Sequence, residues 1–305
     1  MSKKKSDLLV GLDIGTTKIV ALVAEVDDEG SVRLIGSGVH PSFGLKRGVV
    51  VNIESTVQSI RRAIEEAQLM AGCPVQDVVA GIAGSHVKSM NSHGIVAIRE
   101  KEVRQVDIES VIDAAKAVAI PADQEILHVL PQTYTVDDQE GIRDPIGMSG
   151  VRLETSVHIV TGSVCAAQNI VKCIERCDLH VGDIVLEQLA SSCVLTDDEK
   201  DLGVCMIDIG GGTTDIALFA GGAIRHTGVI PIAGSQVTND IAVAMRIPYR
   251  IAEHVKLANA SLLRLEEEAS FDFEDTDGRK RALSRGMLID VVRARYEELF
   301  GMVKS

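Results

Sequence analysis

The chain has 305 residues, with 44 Asp and Glu against 31 Lys and Arg, and a formal charge of −13. An apolar fraction of 46% with 25% charged residues is typical of a folded globular protein and excludes intrinsic disorder. The aromatic content of 3% argues against surfaces that stack on bases or sugars, and a pI near 5.1 argues against a nucleic-acid binder.

The length predicts about two domains, each large enough to bury its own core. Lys3–Lys5 resemble the start of a signal peptide, but Asp13 interrupts the apolar run that follows. No apolar run approaches the roughly 18 residues of a spanning helix. The six cysteines form no Cys-x-x-Cys pair. We therefore expect a reduced, cytosolic protein.

Two kinds of apolar periodicity alternate along the chain, which is typical of an α/β protein. In chain order the patterns predict a strand at Ile19–Val26, a helix from Ser55 to a stop at Gly72, a strand at Val78–Ala83, a helix from Asp107 to Ile120, a strand at His158–Thr161, a helix from Ser163 to Cys177, a strand at Gly203–Ile209, and helices from about Ser235 and after Ser284. The charged stretch Leu265–Arg281 is predicted to be an exposed excursion.

One motif occurs twice. The segment Asp13-Ile-Gly-Thr-Thr-Lys18 returns in longer form as Asp208-Ile-Gly-Gly-Gly-Thr-Thr-Asp215, each time between two apolar strands. The copies are too far apart for a solenoid repeat. We interpret them as two β-hairpins of related architecture, one in each half of the chain.

Each hairpin has a tip suited to an anion. Glycine lets the backbone approach a ligand and turn its N–H groups outward; the glycines are Gly15, Gly210, Gly211 and Gly212. Hydroxyl donors come from Thr16, Thr17, Thr213 and Thr214, and Lys18 adds a positive charge. Asp13 and Asp208 stand where strand meets turn, where a carboxylate can hold hydrated Mg²⁺ through its waters. The pair predicts a clamp for a polyphosphate and its metal.

Two common phosphate motifs do not fit this context. A Walker loop requires GxxxxGK[ST] at the start of a helix, and the sequence has no such segment. A dinucleotide fingerprint continues into a helix, whereas both turns here continue into strands.

Paired Asp-Ile-Gly hairpins mark the superfamily of actin, sugar kinases and Hsp70, and within it the chain resembles the bacterial FtsA family of cell-division proteins. The stretches that carry this resemblance are Gly11–Lys18, Arg62–Met70, Gln139–Arg143, Gly147–Arg152, Leu189–Ser192, Leu202–Ala217, Ile230–Ser235 and Arg295–Leu299. The hairpins identify only the superfamily, whereas the stretch Gln139–Arg152 identifies the family within that superfamily.

The resemblance implies an actin-like (ribonuclease H-like) α/β fold of duplicated domains around a nucleotide cleft, with ATP and Mg²⁺ as cofactors. It makes Asp13–Lys18 the first phosphate hairpin and Asp208–Asp215 the second, and adds Gly234 to the nucleotide site. It makes Glu187 a candidate for orienting the attacking water; the alternative is a solvated carboxylate at a helix start.

The resemblance also implies a domain plan and partners. Residues 1–83 and 162–200 would form the first actin-like domain, 84–161 an inserted subdomain, and 201–305 an incomplete second domain. The inserted subdomain would contact other protomers and later division proteins. The region from about residue 236 would receive the tail of the tubulin-like protein FtsZ, with Arg293, Arg295 and the Arg279–Arg281 cluster as contacts; ordinary exposed charges are the alternative.

FtsA proteins continue beyond the position of Ser305 with a Gly-Gly adenosine segment and a terminal amphipathic helix, so the chain resembles a member shortened at its C-terminus. The expected location is the cytoplasmic face of the membrane at the division septum, or the cytosol for a chain without that helix. We expect an assembly protein with at most weak ATPase activity. The alternatives are a sugar or acetate kinase, which requires a general base that the sequence does not offer, and an Hsp70-type chaperone, for which the length leaves no peptide-binding domain.

Overall fold

The structure is a computed structural model that describes residues 7–263, 270–274 and 280–305. The strands, in chain order, are β1 (Asp7–Ile14), β2 (Lys18–Val26), β3 (Val32–Pro41), β4 (Leu45–Lys46), β5 (Val49–Val50), β6 (Asp77–Ile82), β7 (Lys88–Ala97), β8 (Gln124–Val136), β9 (Gln139–Ile142), β10 (Arg152–Ser163), β11 (His180–Leu186), β12 (Val204–Ile209), β13 (Thr214–Ala220), β14 (Ala223–Ile230), β15 (Ser270–Glu274) and β16 (Lys280–Ser284).

The helices are α1 (Ile53–Ala71), α2 (Gln105–Lys116), α3 (Val164–Glu175), α4 (Glu187–Ser191), α5 (Asp197–Leu202), α6 (Gly234–Met245), α7 (Tyr249–Asn259) and α8 (Arg285–Lys304). The chain divides into two compact units. The first contains Met1–Asp208 and Asp215–Val229, and the second contains Ile209–Thr214 and Ile230–Ser305.

The first unit is built on a five-stranded sheet of order β11-β6-β1-β2-β3. β1, β2 and β3 are antiparallel neighbours, whereas β6 runs parallel to both β1 and β11. Side chains from one face of this sheet form a buried core with α1 and α3. The strands predicted at Ile19–Val26 and Val78–Ala83 are confirmed as β2 and β6.

Helix α1 begins earlier than its sequence pattern predicts. We expected the cap at Ser55, but the N-cap is Asn52, whose side-chain oxygen accepts the Ser55 N–H over 3.0 Å. The predicted stop at Gly72 is confirmed, because this glycine takes the left-handed conformation at φ 69°. A Cβ at Gly38 would lie 2.0 Å from the Ala63 carbonyl oxygen, so glycine lets β3 approach α1.

Residues 84–161, the inserted segment below, carry β7, α2, β8, β9 and most of β10. Their sheet has the order β7-β10-β8-β9 and shares a small apolar core with α2. Helix α2 was expected to reach Ile120 but ends at Lys116, well before Pro121. The run His158–Thr161 is confirmed as strand, within the much longer β10.

A polar seam, in which His158 and Thr227 are buried, joins the inserted segment to β14. It consists of Ser89, Asn91, His158 and Thr227. His158 Nδ1 lies 2.7 Å from Asn91 Oδ1, and its Nε2 lies 3.0 Å from Thr227 Oγ1. The amide oxygen can only accept, so Nδ1 carries the proton and Nε2 accepts from the threonine hydroxyl. Burial, together with a smaller effect of the nearby His226, lowers the pKa of His158 to about 4.

The second unit is built from α6, α7, α8 and the β15–β16 hairpin around its own apolar core. α6 and α8 confirm the helices expected near Ser235 and after Ser284, while α7 has no counterpart in the predictions. Phe271 and Phe273 are buried in the core, so the predicted exposed excursion is wrong for these two residues. The parts of the predicted stretch at 265–269 and 275–279 lie outside the described residues. Within the described ranges, no helix combines the length and apolarity needed to span a membrane.

Candidate functional site

The first hairpin is formed by β1 and β2, as predicted. Its antiparallel register pairs Asp13 with Val20 and Ile14 with Ile19, which leaves Gly15, Thr16 and Thr17 as the turn. A Cβ at Gly15 would lie 2.9 Å from the Lys18 carbonyl oxygen, a distance that real Cβ atoms do not tolerate. The tightness of the turn therefore requires glycine at this position.

Strand alternation places Asp13 on the face away from the core. Leu12 and Ile14 are buried, whereas Asp13 between them points to the opposite side and is partly exposed. On that side a cavity of about 470 Å³ opens within the first unit. Its lining residues are Gly11, Leu12, Asp13, Lys18, Val20, Leu22, Val79, Gly81, Val185, Glu187, Ala190, Ser191 and Asp208. Three of the predicted acidic site residues, Asp13, Glu187 and Asp208, therefore share one cavity.

The short helix α4 makes a contact with each of three acidic residues from different strands. Glu187 shares a hydrogen bond with Asp13 of β1. The Gln188 amide donates to Asp215 Oδ1 of β13 over 2.7 Å, and the Ser191 hydroxyl donates to Asp208 Oδ2 of β12 over 2.6 Å. We call Asp13, Glu187, Asp208 and Asp215 the acid cluster.

The acid cluster concentrates negative charge in a poorly solvated place. Burial raises the pKa of Glu187 well above its usual range, and the neighbouring carboxylates Asp13, Asp215 and Asp208 raise it further. Burial also raises the pKa of Asp13, against the lowering effect of the Lys18 charge. Glu187 is therefore the residue that holds a proton, and the alternative of a freely solvated carboxylate does not fit its surroundings.

The other first-turn residues differ in what they contact. Thr16 Oγ1 accepts the Gly48 N–H over 3.1 Å, and its hydroxyl proton remains available for a further acceptor. Thr17 is exposed, and the exposed side chain of Lys18 lines the cavity. The structure thus brings Lys18 together with the acid cluster.

The acid cluster fits a metal held through water. In the part of the chain that the structure describes, no three His, Cys, Asp or Glu side chains converge closely enough to ligate a metal directly. Mg²⁺ keeps several waters when only one or two carboxylates hold it. Asp13 and Asp208, open to the same cavity, match this mode of binding.

The tip of the second hairpin belongs to the second unit. Gly210 N–H donates to the Thr213 carbonyl oxygen over 2.9 Å and closes the turn. The N–H groups of Gly234 and Ser235, at the start of α6, donate to the carbonyl oxygens of Gly210 and Gly211. Gly234, a predicted site residue, is thereby fixed against the glycine tip. Gly212 is buried in the same tip.

The threonines of the second hairpin are less available than the sequence suggested. Thr213 and Thr214 are both buried. The Thr214 hydroxyl donates to the Ile232 carbonyl oxygen over 2.7 Å, so its proton is engaged within the protein in this structure. Its role in the structure is to fix the chain that leads into α6.

Sequence reasoning missed Lys256, a half-buried residue of α7. Its Nζ lies 3.2 Å from the Gly234 carbonyl oxygen, 2.9 Å from Thr238 Oγ1 and 2.8 Å from Glu253 Oε2. Its position beside Gly234, a predicted site residue, makes Lys256 a candidate site residue of the second unit. The available signal was the Glu-x-x-Lys spacing, which places Glu253 and Lys256 on one helical face.

The predicted partner contacts are engaged within the second unit. Arg295 binds both carboxylate oxygens of Asp240, at 2.6 and 3.0 Å, and also pairs with Glu298. Arg293 donates to the Leu262 carbonyl oxygen over 2.8 Å, and among the residues that the structure describes no carboxylate pairs with its charge. In the Arg279–Arg281 cluster, Arg279 and the side chains of the other two residues lie outside the described part of the chain.

Comparison with solved structures shows the fold. A chain of the PilM–PilN type IV pilus biogenesis complex superposes with a TM-score of 0.67 at 16% identity, covering 98% of this chain and 76% of that one. MreB5 of Spiroplasma citri bound to ADP gives a TM-score of 0.55 at 15% identity, covering 97% and 77%. The fold and the twin glycine hairpins define an actin-like α/β protein, as the sequence predicted.

Comparison with curated proteins shows the family. The cell division protein FtsA of Pseudomonas aeruginosa is 60% identical over 308 residues, covering 100% of this chain and 74% of that protein. FtsA of Escherichia coli K12 is 46% identical over 302 residues, covering 98% and 72%. Family models match residues 84–161 as the SHS2 domain inserted in FtsA, and 205–287 as cell division protein FtsA. The chain belongs to the FtsA family of cell division proteins, which supports the cell-division interpretation and not the kinase alternative.

Proposed function

We propose that this chain is a nucleotide-dependent assembly protein of cell division that binds ATP with Mg²⁺ and hydrolyses it slowly at most. The observation that carries the proposal is the meeting of Asp13, Glu187 and Asp208 in one cavity beside the Lys18 turn. A cavity lined with carboxylates repels a bare polyphosphate, and a divalent cation removes that repulsion. The metal supplies charge neutralisation between carboxylates and phosphates.

The residues of the chain have distinct roles in this proposal. Asp13 and Asp208 hold the metal through its waters, and Lys18 and the Gly15 turn face the phosphates. Glu187 is the group for orienting an attacking water, yet its raised pKa favours the protonated form in the free protein. A protonated carboxyl is a poor base until nearby positive charge lowers its pKa, which is consistent with slow hydrolysis and an assembly role.

Nucleotide binding tests the proposal directly. We expect Asp13→Asn and Asp208→Asn each to weaken Mg-ATP binding by roughly tenfold or more, because each removes a charge that holds the hydrated metal. The matched control is Asp113→Asn, an exposed acid of α2 that pairs with Lys116. Isothermal titration calorimetry with and without EDTA provides the measurement. Unchanged affinity in both site variants would refute the assignment.

We propose that the partners are FtsZ, further copies of this chain and later division proteins, the last through the inserted segment. The location would be the cytoplasmic face of the membrane at the septum, with membrane attachment through a C-terminal helix. Family membership supports these partners, and the free charge of Arg293 supports a contact with an acidic tail. Fluorescence anisotropy with an FtsZ tail peptide should show weaker binding for Arg293→Ala than for the exposed control Arg250→Ala.

A further inference from the structure

His128, a residue of the inserted segment, makes a hydrogen bond directly beside the acid cluster. It lies on β8, and its Nε2 accepts the backbone N–H of Leu186 over 3.0 Å. Leu186 ends β11 and is the N-cap residue of α4, so Glu187 follows it directly. A side chain outside the five-stranded sheet thus fixes the start of the helix that carries Glu187.

The hydrogen bond to Leu186 defines which nitrogen of the His128 imidazole carries the proton. A backbone N–H can only donate, so Nε2 must be unprotonated and Nδ1 carries the proton of the neutral ring. Burial lowers the pKa of His128, and the only opposing influence identified is the charge of Asp183 on β11. The ring therefore stays neutral and keeps its acceptor directed at Leu186.

Packing reinforces the same junction. The Leu186 side chain is fully buried and packs in a small cluster with Val87 and Val160, both from the inserted segment. The five residues of α4 cannot form a stable helix on their own. The position of α4 therefore depends on its contacts. His128 and this apolar cluster hold its start, and the acid cluster binds side chains along its length.

We infer that His128 is a positioning residue for the acid cluster and that through it the inserted segment is coupled to the nucleotide site. The inference deepens the proposed function and rests on it for the nucleotide part alone. Removal of the acceptor leaves the Leu186 N–H without its partner, so α4 loses its fixed start. The side chains of Glu187, Gln188 and Ser191 then lose their alignment with Asp13, Asp215 and Asp208.

Hydrogen exchange of the whole chain tests the structural part without nucleotide. In His128→Leu, amides of residues 183–191 should exchange roughly 3- to 10-fold faster, the range for one lost hydrogen bond. The amides of α1 serve as the internal reference and should not change. His128→Gln places an oxygen near the Nε2 position and should restore slow exchange, whereas His128→Asn is too short and should behave like the leucine variant.

The nucleotide part uses the same variants. His128→Leu should lower the Mg-ATP hydrolysis rate severalfold while the affinity for Mg-ADP changes less than twofold, with recovery in His128→Gln. Equal amide exchange of residues 183–191 in all variants would overturn the inference. An equal loss of hydrolysis rate in the leucine and glutamine variants would also overturn it. If His128→Leu does not fold, the asparagine and glutamine variants decide between these results. If exchange responds as expected but no form of the chain binds Mg-ATP, the proposed function fails and the coupling of His128 to α4 stands.

Discussion

The hydroxyl of Ser191 donates a hydrogen bond to Asp208 Oδ2 over 2.6 Å, linking the last residue of α4 to the acidic residue next to the end of β12. A hydroxyl that donates to a carboxylate oxygen fixes the rotamer of that carboxylate. Asp208 therefore presents its other oxygen in a defined direction within the cavity.

We expect Ser191→Ala to raise the Mg²⁺ concentration needed for half-maximal nucleotide binding by roughly tenfold, the size of one hydrogen bond to a charged group. The measurement is a magnesium titration at fixed ATP, followed by calorimetry. Ser110→Ala is the control, because the Ser110 hydroxyl is exposed and bonds only to its own helix. A titration curve that coincides with the unsubstituted chain would exclude a positioning role for Ser191.

Glu187→Gln should stabilise the protein near neutral pH. Because the folded-state pKa of Glu187 is raised, its favourable contribution is complete below the unfolded value near 4.5 and is lost as the pH rises through the folded value. Glutamine does not titrate, so the variant avoids this loss. Urea denaturation should give nearly equal stabilities at pH 4.5 and a more stable variant at pH 8. A variant that is less stable at pH 8 would contradict the buried, protonated Glu187.

His158 should make the protein sensitive to mild acid. Its pKa falls from 6.5 to about 4 on folding, so the stability it contributes is present above 6.5 and is lost as the pH falls towards 4. The full effect amounts to about 3 kcal/mol. The stability advantage of the unsubstituted chain over His158→Gln should shrink by this amount between pH 7 and pH 4 in denaturation experiments. A constant difference across that range would mean that His158 titrates normally.

Gly38→Ala should destabilise the first unit by about 3 kcal/mol, because the new methyl group collides with the Ala63 carbonyl of α1 and the helix must shift. Gly182→Ala is the matched control in the same sheet, since a Cβ at this position would lie 3.8 Å from the Val78 carbonyl oxygen, an ordinary contact distance. Thermal denaturation should show a clear loss for the first variant and little change for the second. Similar melting of both would show that β3 and α1 are not in close contact.

The features predicted well from the sequence are those with a local signal. The first hairpin is encoded by Asp13, Gly15 and the strands beside them, and Gly72 ends α1 because left-handed backbone favours glycine. Asn52 and Ser55 are both good N-cap residues, so composition could not decide between them. The tertiary path of the chain selects Asn52, whose side chain caps α1 in the structure.

The parts of the site that escaped prediction are contacts between residues distant in sequence. The hydrogen bonds of His128 with Leu186 and of Gln188 with Asp215 join different elements and leave no periodic pattern. The contact of buried Thr214 is a further example, because a threonine in a turn motif does not reveal that its hydroxyl donates to the Ile232 carbonyl oxygen. The local sequence motif identifies the loop, but tertiary packing determines which of its polar groups remain free to bind a ligand.

The pairing of β1 with β2 has a consequence for folding accuracy. Asp13 lies between the buried Leu12 and Ile14, so a shift of the pairing by one residue would turn its carboxylate into the core and expose both apolar neighbours. An unpaired carboxylate in an apolar core is strongly unfavourable. Asp13, which lines the cavity, therefore also disfavours any shifted register of the hairpin that carries it.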